Sequence, residues 1–346
     1  MSNINKVDIN EKMYGMSTEK IMELYELQSL SKYSEFKEYP LYHNGIAFGI
    51  TNNYEIIRKN NKKPIIIGGP CVCYSQASIE KVTIQDLMDI ICPISYAAYV
   101  KCHVYIYFQI HEAILQQIEI DHFTSKESEW NNLLDKLRVI VWRVADMFNL
   151  SHEYVHVIST ADDNVKNVID NILDLNIIKK LLIPSFLYGM YSINNSSVHP
   201  KGDRAEALFL DIYRRNLATY LPITLSLISG NTPMPVIVVE NCTQLKTSYK
   251  ANLVWNSISA NNNVPICHLV YSSTPGINGT EMYKCFSQNQ ICMNTSEEKI
   301  RRRWAKLDDW VKEYYCDMWI NLAENKDGDE IKAFLKKFNH IREGLT

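Results

Sequence analysis

The run Pro64-Ile-Ile-Ile-Gly-Gly-Pro70 constrains this chain more than any other stretch. A short β-branched run without polar alternation suits a strand buried on both faces, the habit of a central parallel strand. Two glycines and a proline then end it. The same kind of run recurs at His103-Val-Tyr-Ile-Tyr-Phe108, Tyr154-Val-His-Val-Ile-Ser159, Met234-Pro-Val-Ile-Val-Val239 and over 264–271. Helical patterns separate these runs. Ile79, Val82, Leu87, Ile90 and Ile91 predict a helix over 76–91. Leu133, Leu134, Leu137, Ile140, Val141 and Val144 predict a long amphipathic helix over 127–148. Further helices are expected over 165–182, 204–215 and 247–259. Strands alternating with helices predict an α/β fold, a parallel sheet with helices on both faces. Ligands of such folds sit at the carboxyl ends of the strands. That edge would hold Gly68, Gly69, the Glu240-Asn241-Cys242 loop and the loop over 272–290.

A chain of 346 residues allows two domains, or one large α/β domain with an appendage. Residues 1–63 are expected to form a helical N-terminal extension. Ser17-Thr-Glu-Lys20 can cap a helix through Met22, Leu24, Leu27 and Leu30, and 45–51 can form a short strand. Residues 64–300 carry the sheet, with a helical insertion at about 160–220, and 301–346 form a helical C-terminal piece. A net charge of -3 excludes a wholly basic nucleic-acid coat but not a local basic patch. Nine cysteines, an odd number, suit reduced thiols in a cytoplasmic protein better than a disulfide framework. The Cys71-Val-Cys73 pair has no second pair to complete a zinc site, so no metal is expected there. Polar residues at the N-terminus predict no signal peptide. The longest apolar stretch, 90–100, is about half of a membrane span, so no membrane contact is expected.

A C-terminal stretch carries a resemblance. Pro275-Gly-Ile-Asn-Gly-Thr-Glu-Met-Tyr-Lys-Cys285 precedes Ile291-Cys-Met-Asn-Thr-Ser-Glu-Glu-Lys-Ile300. This order resembles tyrosyl- and tryptophanyl-tRNA synthetases of class I. Those enzymes have a strand, a P-G-L-D-G turn, the ATP-handling KMSKS loop and a capped helix. Glu281-Met-Tyr-Lys-Cys285 stands where KMSKS would, which puts Met282 and Lys284 on that loop. Other segments fall into the same order. Ser75-Gln-Ala-Ser78 resembles the HIGH motif, and Phe108-Gln-Ile-His-Glu-Ala113 a strand end of the A-D-L-H-A type. Tyr220-Leu-Pro-Ile-Thr-Leu225 resembles the Y-P-L-L-Q helix start, and Val239-Glu-Asn-Cys242 the G-x-D-Q loop. The resemblance spans roughly 64–310. It implies a Rossmann-like sheet, a homodimer joined through the insertion, and tRNA as partner. It implies substrate contacts at Gly68, Gly69, Ser78, Gln109, His111, Leu225, Glu240, Asn241, Cys242 and Met282.

The departures shape the expected chemistry. Serines 75 and 78 replace the HIGH histidines, Asn241 and Cys242 replace D-Q, and Glu281 replaces the first KMSKS lysine. Lys284 alone persists. A carboxylate beside a triphosphate repels it, and a departing pyrophosphate needs preorganised positive charge. The resemblance so altered implies no ATP-driven activation and no cofactor. A second family, the cyclodipeptide synthases, is similar around Cys73-Tyr-Ser-Gln76 and His103 to Leu115. Its members use aminoacyl-tRNA, an ester already activated. Their serine nucleophile follows the first strand, where Pro70 and Cys71 stand here. The expected function is therefore ATP-independent acyl or peptide transfer from aminoacyl-tRNA, with Lys284, Cys71 and Ser75 as catalytic candidates. A non-catalytic pseudo-synthetase binding tRNA or a protein partner is the alternative, and a divergent ligase the third.

Three further patterns have two readings each. His152-Glu-Tyr-Val-His156 matches the HExxH zinc peptidase pattern, but Tyr154–Ser159 reads as strand. On a strand the two imidazoles would stand roughly 13 Å apart, too far for one zinc. Arg301, Arg302 and Arg303 with Lys306 suit phosphate contacts of a tRNA, or a solvated face beside Glu297, Glu298, Asp308 and Asp309. Trp304, Trp310, Tyr314, Tyr315 and Trp319 have helical spacing, which suits helix packing more than base stacking.

Overall fold

The computed structural model describes residues 23, 26–39, 41, 48–60, 62–72, 78–110, 123–159, 162, 234–242, 244–245, 266–272, 274–276, 291–312, 315 and 330–345, with backbone only at 48, 71–72, 109–110 and 123–130. The expected helices over 165–182, 204–215 and 247–259, and the insertion at 160–220, lie outside these residues.

One sheet organises the molecule. Its strands are β1 (Gln28–Ser29), β2 (Phe48–Ile50), β3 (Ile65–Gly68), β4 (Cys71–Val72), β5 (Val104–Ile110), β6 (Val155–Ser159), β7 (Val236–Asn241) and β8 (Ile266–Tyr271). The order runs β1-β2-β8-β7-β3-β5, with β6 also paired to β5. Strands β6, β5, β3, β7 and β8 are parallel neighbours, and β1 and β2 extend the edge antiparallel. Every residue of β7 and β8 is buried, the apolar Val236–Val239 run as predicted and with it the polar Glu240, Asn241 and His268.

Strand β4 is the continuation of β3. Ile66 pairs with Val104 and Cys71 with Gln109, the same register on either side of Gly69-Pro70. Gly69 has φ +147°, and a Cβ there would lie 2.3 Å from the Tyr107 carbonyl oxygen. Only glycine fits that approach.

The helices are α1 (Tyr54–Arg58), α2 (Ile84–Val100), α3 (Phe123–Met147), α4 (Glu297–Trp304) and α5 (Glu330–Arg342). Helix α2 is buried continuously from Ile84 to Ala97. Pro93, inside it, lies against Gly68, where an added Cβ would stand 2.7 Å from the proline ring. Helix α3 buries Leu133, Leu134, Leu137, Ile140, Val141 and Val144 in the same core as α2 and sheet residues Ile66, Ile106, Phe108, Val239 and Leu269. Helix α5 closes the core from outside. Arg143 of α3 donates to the Ile341 and Glu343 carbonyls, and Arg342 to those of Met293 and Thr295.

Two expectations are corrected. The helix expected through Leu27 and Leu30 gives way to β1 and two 3-10 turns, Leu30–Lys32 and Ser34–Glu38. The described part of the expected helical extension therefore feeds two strands into the sheet. Tyr33, Phe36 and Tyr39 pack into an aromatic cluster with Tyr54 and Tyr96, and that burial outweighs helical periodicity. The helix expected over 76–91 starts at Ile84 instead. A 3-10 turn, Ile79–Lys81, precedes it, and the intervening chain pairs with 291–294: Met293 N–H donates to the Val82 carbonyl and Asn294 N–H to that of Glu80.

Candidate functional site at the carboxyl edge of the sheet

The strand order places β3 between β5 and β7, where the connections diverge to opposite sides. A crevice at the carboxyl ends of the strands beside such a switch point is the general ligand position of open α/β sheets. Gly68 and Gly69 end β3 there, and Glu240, Asn241 and Cys242 end β7. The Cys242 N–H donates to the Tyr271 carbonyl at 2.9 Å, which fastens this loop to the end of β8.

The first turn of α2 faces this edge. Thr83 is its N-cap: the hydroxyl accepts from Asp86 N–H at 3.2 Å, and Asp86 Oδ2 accepts from Thr83 N–H at 2.9 Å. The Ile84 N–H donates to the Ile291 carbonyl at 3.1 Å. A free helix N-terminus would attract an anion through its unpaired N–H groups and partial positive charge. Here a buried carboxylate, 3% exposed, occupies that position. The negative charge is felt nearby. The thiol of Cys292, whose backbone forms a β-bridge with Thr83, is pushed up by burial and next by Asp86.

A second buried carboxylate lies one turn further along α2. Asp89 Oδ1 accepts from Gln85 Nε2 and Asn241 Nδ2, each at 3.0 Å, and from the Tyr271 hydroxyl at 2.5 Å. Gln85 Oε1 in turn accepts from the Thr274 N–H at 2.8 Å. On the other face of β7 and β8, Glu240 Oε1 pairs with His268 Nδ1 at 2.7 Å, both buried. Three carboxylates thus surround the end of the β3–β7 boundary.

The candidates named from sequence divide into three groups. Gly68, Gly69, Glu240, Asn241 and Cys242 come together at this edge. Cys71 and Gln109 are register partners on β4 and β5, on the continuation of β3. Ser78 caps the 3-10 turn, accepting from Glu80 N–H at 3.4 Å, and so lies outside the first turn of α2. Ser75, His111, Leu225, Met282 and Lys284 lie outside the described residues. The ends of the stretch carrying Met282 and Lys284 do not. Thr274 on one side and Ile291 on the other bond to Gln85 and Ile84, consecutive residues of α2. Arg301 and Arg302 are exposed on α4 and Arg303 is half-buried, with Arg302 paired to Glu298.

Sequence reading missed Asp86, Asp89, Tyr271 and His268. Thr83-Ile-Gln-Asp86 fits the capping-box spacing and could have been found. The other three are recognisable only from contacts across the fold.

The HExxH histidines take separate partners. His152 lies in a 3-10 turn, with Nε2 2.9 Å from Asp146 Oδ1, and packs against Trp142. His156 lies on β6 beside His103. No cluster of three His, Cys, Asp or Glu among the described residues could hold a metal ion. Among the same residues, no helix is long and apolar enough to cross a membrane.

Comparison with solved structures places this architecture. The tryptophanyl-tRNA synthetase of Encephalitozoon cuniculi bound to tryptophan matches with TM-score 0.61 and 10% identity, over 95% of this chain and 97% of that one. The Plasmodium falciparum tryptophanyl-tRNA synthetase matches with TM-score 0.61 and 13% identity, over 96% and 94%. That of Giardia lamblia matches with TM-score 0.58 and 11% identity, over 95% and 93%. At such identities the likeness is one of fold: a Rossmann-like sheet of the class I synthetase kind. No family model and no curated protein matches the sequence.

Proposed function

We propose that this chain is a class I synthetase-like protein that takes aminoacyl-tRNA as donor and does not activate amino acids with ATP. The observation that supports this most is the carboxylate of Asp86 in the first turn of α2. Phosphate binding needs that turn free and positive, and here it is filled by its own cap and negative. With Asp89 and Glu240 nearby, the edge disfavours a triphosphate and favours a cation. An aminoacyl ester presents one in its α-ammonium group.

In this reading a nucleophile attacks the ester carbonyl. A carbon–nucleophile bond forms, the carbon–oxygen bond to the tRNA ribose breaks, and the nucleophile's proton passes to the departing ribose oxygen. The Cys71 thiol and the Ser75 hydroxyl are the proposed nucleophiles, and Lys284 a proposed stabiliser of developing negative charge. Arg301, Arg302 and Arg303 are proposed to meet tRNA phosphates. A homodimer and a cytoplasmic location accompany the proposal.

A second reading, a non-catalytic binder of tRNA or of a protein, draws on the same closed helix end. Incubation with charged and uncharged tRNA, with and without ATP, followed by mass spectrometry, separates the readings. The proposal expects charged tRNA to be consumed without ATP. A product that appears only with ATP, or amino-acid-dependent pyrophosphate exchange, would overturn it. Binding that weakens steeply with salt, without turnover, would favour the second reading.

A further inference from the structure

A cavity of about 460 Å³ opens at the opposite, amino edge of the sheet. Its walls come from the residues leading into β3, β5, β6 and β7. By strand rise it lies on the order of 17 Å from the carboxyl edge. Its size falls within the usual range for small-molecule sites.

Four rings form a continuous series along its wall. Tyr154 packs on His103 with centroids 4.9 Å apart, His103 on His156 at 5.2 Å, and His156 on Tyr105 at 4.5 Å. His103 Nδ1 and His156 Nε2 are 3.1 Å apart, so one imidazole donates its N–H to the other. Lys63 and Lys101 stand at the rim, the Lys63 ammonium donating to the Lys101 carbonyl at 3.1 Å. Among the described residues, no carboxylate lines the cavity.

We propose that this cavity is a ligand site for a phosphorylated, ring-bearing small molecule of nucleotide size. Two lysines and an imidazole pair, with no acid among the described lining residues, suit a phosphate dianion through charge-assisted hydrogen bonds. The ends of the ring series, Tyr154 and Tyr105, offer stacking for a planar ring. The site is independent of the carboxyl edge and of the transfer chemistry proposed there.

Calorimetric titration of the full chain with AMP, adenosine and inorganic phosphate tests it. AMP is expected to bind, and adenosine and phosphate each at least about tenfold more weakly, since each lacks one of the two determinants. Lys63→Ala with Lys101→Ala, both exposed positions, should weaken AMP about tenfold without loss of the circular dichroism of the fold. His156→Gln should weaken it similarly. Absence of AMP binding at millimolar concentration, AMP affinity unchanged in the lysine double variant, or phosphate binding as tightly as AMP would each overturn the proposal. So would AMP binding that Asn241→Ala abolishes and the double variant retains, because the nucleotide would then sit at the carboxyl edge.

Discussion

Asn241, the last residue of β7, donates its side-chain amide to the carboxylate of Asp89 on α2 at 3.0 Å, joining positions 152 residues apart. Tyr271 of β8 and Gln85 of α2 share the same carboxylate oxygen. Helix and sheet are thereby fixed to each other at the edge where a ligand would sit.

Asp89→Leu removes the common acceptor of three donors while keeping the volume apolar. It should cost roughly 3 kcal/mol or more in urea denaturation, and Asp89→Asn, which keeps one acceptor oxygen, clearly less. A leucine variant as stable as the native chain would show that the shared carboxylate contributes nothing.

Gly69→Ala should leave the chain unfolded or insoluble. Its Cβ would lie 2.3 Å from the Tyr107 carbonyl oxygen, at a backbone angle that alanine rarely adopts. Gly49→Ala provides the control: its Cβ would meet the Leu27 side chain at an ordinary 3.4 Å, and its cost should stay within about 1 kcal/mol. Equal thermal midpoints for the two variants would refute the close approach.

Lys337 on α5 is pushed down to about 8, by burial first and by neighbouring Lys336 second. Its folded value lies below its unfolded one, so the unfolded chain holds the extra proton between them. Stability should therefore rise as pH climbs from about 8 towards 10.5. Lys337→Met should stabilise the protein at pH 7 by on the order of 1 kcal/mol, discounted for the partial exposure of the side chain. The gain should shrink to roughly a quarter of that by pH 10. A variant equally stabilised at both values would point to packing in place of charge.

His156 is held below the usual histidine range by burial, with His103 adding to it. Below pH 6.5 the unfolded chain takes up this proton more readily, so stability should fall as pH drops from 6.5 through the lowered folded value. His156→Gln should lose less stability than the native chain between pH 7.5 and 5.5. Parallel pH profiles for the two proteins would exclude this group as a contributor.

The parts of the fold that sequence makes legible are those whose burial follows one local period. Helix α3 shows its apolar stripe from Leu133 to Val144, and β7 its unbroken Val236–Val239 run, because each is buried by a single pattern. The start of α2 is hidden for the opposite reason. Ile79 and Val82 continue its apolar spacing, yet Val82 is committed to Met293, 211 positions later, and the chain pairs before it coils. At the candidate site, Glu240 and Asn241 stand out because they end an apolar strand. Asp89 does not, because an acid four residues after Gln85 looks like any solvated helix position until β7 and β8 are brought against it.

Thr274 and Ile291 are both stapled to one turn of α2, so the stretch between them departs from and returns to a single point. Such a stretch can be lengthened, trimmed or exchanged at an entropic penalty that grows only slowly with its length. The frame on either side would keep its course, so this fold can be re-equipped for a different reaction without being rebuilt.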